Sequence, residues 1–133
     1  MNRDDIVIDS EQRWAIDLNW LEANNRSLTT LAKASVCAKC RKKLKLDHGE
    51  VKSSEILKSV KTCCSKSPDF ITGTLPLQES TFRVFLANGN EALTLDELGK
   101  QLSDRRGVDA YRTSPSILSR LLASDQHYGL RRV

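Results

Sequence analysis

A mainly helical protein is the expectation from this sequence, and three observations carry it. Apolar residues recur at spacings of three, four and seven through most of the chain, and several of these runs begin with a Ser, Thr or Asp suited to cap a helix. Charged residues of both signs are interspersed at 29% while aromatic residues are only 5%, the profile of a soluble helical chain rather than a disordered one. Glycine and proline cluster at a few points, chiefly Pro68, Gly73 and Pro76, which divide the chain. The expected architecture is an N-terminal helical segment that carries all four cysteines, residues 1–73, followed by a small separable domain, residues 74–133, that closes on a short strand. A length of 133 residues suits one compact domain or two very small ones and is short for a catalytic scaffold with separate substrate domains.

Asp9 or Ser10 can cap a first helix through about Ala23, on which Trp14, Leu18 and Leu21 share a face and Ile16 and Trp20 form a second apolar edge. Ser27 can cap a short helix carrying Leu28, Leu31 and Ala32. The basic run that follows and "LDHGE" read as a loop or short hairpin. A helix is expected from near Ser53, with Ile56 and Val60 inward and Cys63 and Cys64 within about 60° of Val60 on the helical wheel. "SPDFITGTLP" reads as the linker between halves, packed down by Phe70 and Ile71.

Beyond it, residues 78–87 form a helix with Phe82, Phe85 and Leu86 inward, and "NGN" supplies a left-handed stop. Thr94 and Glu97 make a capping box ahead of Leu95, Leu98 and Leu102. "TSPSILSRLLASD" opens with a Ser or Thr cap and Pro115 in its first turn, with Ile117, Leu118, Leu121 and Leu122 as its buried face. "HYGLRRV" alternates as a short terminal strand, Tyr128, Leu130 and Arg132 on one side.

The order helix, short extended segment, helix, turn, helix, strand, with Thr94 to Glu97, Ser114-Pro115 and the closing "HYGLRRV", resembles a winged helix-turn-helix. That resemblance implies that the helix starting near Ser116 takes the place of the recognition helix and that the end of the chain is a reduced wing. Winged helices also serve as protein-docking modules, so the fold alone does not imply DNA binding.

The cysteines set the chemistry. "CAKC" has the spacing of a metal knuckle, whose tight turn brings two sulfurs to one side, and after twenty-two intervening residues Cys63 and Cys64 follow as an adjacent pair. A structural zinc site on Cys37, Cys40, Cys63 and Cys64 is the expectation, with His48 as the alternative fourth ligand if only one of the adjacent pair binds. Buried free thiols and a redox pair are the other readings. A thioredoxin-type pair needs a strand leading into the C-x-x-C, whereas here a helix precedes it.

No nucleophile elbow, phosphate-cradling glycine loop or paired-carboxylate constellation occurs, so a non-enzyme without a small-molecule substrate is expected. The N-terminus has acidic residues where a signal peptide is basic, and its apolar run is too short for a membrane span. A cytoplasmic protein off the membrane is expected, in a compartment that keeps thiols reduced.

The formal charge is +4 and the pI near 9.0, and the positive charge is local. Lys39, Arg41, Lys42, Lys43 and Lys45 fall within seven positions and are expected to meet phosphates. Ser116, Ser119 and Arg120 project from the recognition-helix position, and Arg131 and Arg132 lie on the terminal strand. Two functions follow. One is a transcription-related DNA-binding protein; the other is a zinc-stabilised adaptor that docks onto a larger protein through the apolar edge at Ile16 and Trp20.

Overall fold

The computed structural model describes residues 11–46, 51–107 and 113–133, and it is mainly helical with a small antiparallel sheet. The middle of that sheet is a strand where the sequence pattern predicts a helix. In place of one helix through Ala23 there are β1 (Arg13–Ile16) and a shorter α1 (Leu18–Ala23). Asp17 makes the division: its backbone is extended, and its carboxylate accepts the Trp20 N–H at 3.1 Å, so α1 starts at Asp17, while Asp9 and Ser10, the expected caps, lie outside the described residues. Trp14, Ala15 and Ile16 are all buried, as befits a central strand covered on both faces. Leu18, expected inward with them, is 39% exposed.

β1 pairs antiparallel with β2 (Leu93–Thr94) on one side and β3 (Leu130–Arg132) on the other, in the order β2-β1-β3. Trp14 faces Leu93 and Arg132 across the two ladders, and Ile16 faces Leu130. β2 is only two residues long, and a side chain continues its edge. The Ile16 N–H donates to Asn90 Oδ1 at 2.9 Å, and Asn90 Nδ2 donates to the Ile16 carbonyl at 2.9 Å. A carboxamide carries the same donor and acceptor as a peptide unit, so it stands in for one rung of the ladder. Asn90 is held there by the left-handed turn that ends the preceding helix, with φ of 76° at Gly89 and 64° at Asn90. Asn90→Ala is expected to leave both Ile16 groups unpaired and to cost about 1–3 kcal/mol, read as a lower urea midpoint. An unchanged midpoint would show that solvent replaces the carboxamide.

α2 (Leu28–Ala32) starts at its Ser27 cap as expected. α3 (Ala38–Leu44) occupies the basic run, where the sequence reading has a loop or hairpin. The correction has a simple cause. "AKCRKKL" consists almost wholly of good helix formers, and three cations in the last turn complement the helix dipole. Lys45, at φ 54°, ends it. α4 (Ser53–Thr62) buries Ile56 and Val60 as its periodicity requires. α5 (Leu77–Ala87) buries Phe82, Val84, Phe85 and Leu86, and α6 (Leu95–Arg106) opens on the Thr94–Glu97 capping box. α7 (Pro115–Ala123) buries Leu118 and Leu122, with Leu121 half-buried. Ile117, expected on the same face, is 39% exposed. α6 and the entry to α7 touch backbone to backbone at Gly99, where a Cβ would lie 2.5 Å from the Thr113 carbonyl oxygen.

The glycine- and proline-marked segment is fastened by arginines from α5 and α6. Arg83 Nη1 donates to the Phe70 carbonyl at 2.8 Å and Arg105 Nη1 to the Ser65 carbonyl at 2.9 Å. Both guanidiniums lie over the buried Phe70 ring, at 5.8 and 5.7 Å from its centroid. Arg106, itself buried, donates to the Leu75 carbonyl and to Ser80 Oγ. β1 crosses the boundary at residues 73 and 74 by pairing with both C-terminal strands, and one buried apolar cluster runs from Trp14 to Leu130.

Asp125 positions the last strand. It is fully buried. Its Oδ1 accepts from Gln78 Nε2 at 2.5 Å and the Tyr128 N–H at 3.1 Å, and its Oδ2 accepts from the Leu130 N–H at 2.9 Å. A carboxylate with such partners bears burial and ties the end of α7 to α5 and β3 at once.

Candidate metal centre and basic surfaces

Cys37 stands immediately before α3 and Cys40 one turn into it, so the knuckle spacing brings both sulfurs to one side of the helix start. Cys63 ends α4 with φ −130° and ψ −67°, and Cys64 begins a short 3₁₀ turn, Cys64–Lys66. That break decides the geometry of the adjacent pair, because consecutive residues of an unbroken helix point about 100° apart.

The four thiols converge. Cys37 Sγ lies 3.9 Å from Cys63 Sγ and 3.5 Å from Cys64 Sγ. The sulfurs of Cys37, Cys40 and Cys63 all lie within 4.8 Å of one another. Cys40 and Cys64 are buried and the other two are half-buried. The Cys37 backbone N–H donates to Cys64 Sγ at 3.2 Å. This cluster, Cys37, Cys40 and Cys63 with Cys64 against them, could hold a metal ion. His48, the alternative ligand, lies outside the described residues.

The thiols differ in acidity. The Cys40 backbone N–H is the main influence holding the Cys37 thiol down, to about 7; burial opposes it, and the neighbouring thiols add to it. Burial pushes Cys40 strongly up, helped by its thiol neighbours. Burial also raises Cys64, against the Cys37 N–H that favours its thiolate. Two buried thiols therefore resist ionisation until a cation or donor compensates them.

The basic residues have divided roles. Lys39, Lys42, Lys43 and Lys45 are exposed on and just after α3. Arg41 is half-buried and turns back, Nη2 donating to the Lys33 carbonyl at 2.6 Å, so it braces the approach to the knuckle. On α7, Ser116 and Arg120 are exposed and Ser119 is half-buried. Arg132 is exposed, 5.7 Å from the Trp14 ring centroid. Arg131 is not a free cation on a strand. Its Nη1 donates to the Asp125 carbonyl at 2.8 Å, and its guanidinium lies 4.5 Å from the Trp20 ring centroid.

Trp20 and Ile16 do not form the spare apolar edge expected for docking, since Ile16 is buried in the sheet and Trp20 carries Arg131. Sequence reasoning missed Asn90 and Asp125. Their signals, an Asn after a glycine and an Asp after a helix, are common in ordinary turns. Among the described residues no helix is long and apolar enough to cross a membrane. Comparison with protein-family models, with curated proteins and with solved structures finds no significant match to the chain.

Proposed function

We propose that the protein is a non-enzymatic, transcription-related DNA-binding protein of the cytoplasm, with a winged-helix-like half over residues 74–133 and a structural zinc ion on Cys37, Cys40, Cys63 and Cys64. The observation that carries the reading is the succession α5, β2, α6, α7, β3, with Ser116, Arg120, Ala123 and Ser124 exposed on α7. Small and hydroxyl-bearing residues allow close approach to a groove, and one arginine can make a bidentate contact to guanine. β1 beside β3 supports it too, since an antiparallel partner for the last strand is what a wing requires.

Zinc is favoured by the donor set and the spacing. Four sulfurs at about 2.3 Å from a tetrahedral zinc are roughly 3.8 Å apart, and the Cys37 sulfur lies 3.9 and 3.5 Å from those of Cys63 and Cys64. The Cys37 N–H on Cys64 Sγ is the kind of outer contact that steadies a thiolate ligand. The ion would fix α3 to the end of α4 and so hold the exposed lysines on a rigid helix for phosphate contacts.

Selection from a random duplex library tests the reading. Arg120→Ala is expected to cost about 1–3 kcal/mol on the enriched site and little on random duplex. Replacing Lys42, Lys43 and Lys45 by Ala is expected to weaken all duplexes alike and flatten the salt dependence. If no sequence is enriched and the lysine variant binds like the wild type, the DNA reading falls and the adaptor takes its place. The exposed Ile117 on α7 is the observation that favours that second reading.

A further inference from the structure

At the far end of the sheet from β2, between the turn after α1 and the turn after α7, lies a pocket lined by Trp20, Asn24, Arg26, Gln126 and Arg131. Its lining contains two guanidiniums, two carboxamides and an indole, and no carboxylate. Among the described residues neither arginine has an acidic partner. Arg26 Nη1 meets His127 Nδ1 at 3.1 Å; a guanidinium only donates, so Nδ1 is the acceptor there. Arg131 uses Nη1 alone, on the Asp125 and Leu130 carbonyls at 2.8 and 3.3 Å. Its Nε and Nη2 donors remain, and the Trp20 face fixes the plane of the fork. Of the carboxylates close by in the chain, Asp125 is turned inward onto backbone N–H groups and Gln78, Asp17 caps α1, and the exposed Glu22 is not among the residues lining the pocket.

We propose that this pocket binds a phosphoryl group, with Arg26 and Arg131 as its charged donors and further hydrogen bonds from Gln126 and from the second N–H of Asn24 Nδ2, whose first donates to the Trp20 carbonyl at 2.8 Å. The juxtaposition favours phosphate over a simple carboxylate because the polar side chains come from two separate turns, and the tetrahedrally arranged oxygens of a phosphoryl group can meet donors from more directions than the two coplanar oxygens of a carboxylate. Arg131 is preorganised by two carbonyls and an indole, so little side-chain entropy is lost when it binds. Free phosphate and a nucleic-acid backbone present the same oxygens. The inference does not depend on base readout by α7, whose Arg120 is not among the residues lining the pocket.

The two tryptophans make the test direct. Trp14 is buried in β1, whereas Trp20 lines the pocket, so indole N–H resonances of tryptophan-labelled protein give a reporter and an internal control. Trp20→Phe, which removes one signal, assigns them. Inorganic phosphate is expected to move the Trp20 signal saturably and leave Trp14 in place, while potassium chloride at matched ionic strength does neither. Arg26→Gln, at an exposed residue whose one side-chain hydrogen bond among the described residues is to His127, is expected to weaken phosphate by roughly tenfold or more. Arg131→Lys keeps the charge but loses the fork, and it should weaken phosphate as well. In a second arm a short duplex replaces phosphate. A Trp20 shift with phosphate identifies a free anion as sufficient, and one seen with duplex alone identifies a phosphodiester; either supports the site. A Trp20 signal that moves with neither, or that moves equally with chloride, overturns the proposal. So does an Arg26→Gln variant that titrates like the wild type. Failure of the α7 reading would appear instead with Arg120→Ala and leave these titrations unchanged.

Discussion

A chain reduced to residues 74–133 is expected to show no cooperative unfolding transition, even though its three helices carry their own apolar faces and α6 its own capping box. The reason is β1. Without it, β2 and β3 have no partner, and Leu93 and Leu130 lose the strand that lies between them. Trp14 and Ile16 are 5% and 3% exposed, and burying a side chain of that size contributes about 1.5–3 kcal/mol. A unit of this length has roughly 3–5 kcal/mol of stability in total, so the loss of two such side chains and two ladders removes most of it. The register also supplies a rescue. The Val133 N–H donates to the Arg13 carbonyl at 3.0 Å, so the end of β3 and the start of β1 meet. Appending residues 11–26 after Val133 through a short turn is expected to restore a sharp urea transition in circular dichroism. A cooperative transition from residues 74–133 alone would show that the sheet adds little to the helical core.

Metal removal should have the second large effect. Chelation of the purified protein is expected to release about one zinc per chain and to lower the melting temperature by roughly 10 °C or more, since metal binding to such a site is coupled to folding. The change should concentrate where α3 meets the end of α4. Cys37→Ser, Cys40→Ser, Cys63→Ser and Cys64→Ser are each expected to reduce zinc content, because all four sulfurs share one cluster. His48→Ala is expected to leave it unchanged. Binding should weaken as pH falls, because burial raises the Cys40 and Cys64 thiols and their protons must leave before they can ligate. A protein that purifies without metal and melts identically with and without chelator would remove the zinc reading. A silent Cys64→Ser beside a deleterious His48→Ala would replace one ligand by the other.

What the sequence legibly contains is local: caps and periodicity. Ser27, the Thr94–Glu97 box and Ser114-Pro115 start helices where their chemistry requires. Ile56 with Val60, Phe82 with Phe85, and Leu98 with Leu102 mark buried faces at helical spacing. The four cysteines announce a common site through their spacing, and the break at Cys63 that joins the adjacent pair is foreshadowed by "SKSP" after it. In these places the determining interactions lie within about one helical turn, so a one-dimensional reading reaches them.

Tertiary structure decided the rest, and for one reason. Trp14 with Leu21, and Ile16 with Trp20, satisfy a helical spacing as readily as Trp14 and Ile16 satisfy a strand, and only the two edges offered by β2 and β3, remote in sequence, select the strand. Asn90 acting as a rung for Ile16, Asp125 tying α7 to α5 and β3, and Arg131 lying on Trp20 with its donors towards a pocket all join residues from distant parts of the chain. No local propensity encodes such pairings. Their stabilisation exists only once burial has removed water from the groups that make them, which is why the sequence by itself determined where most helices begin and which sides they bury, and the packed structure determined what the polar side chains do.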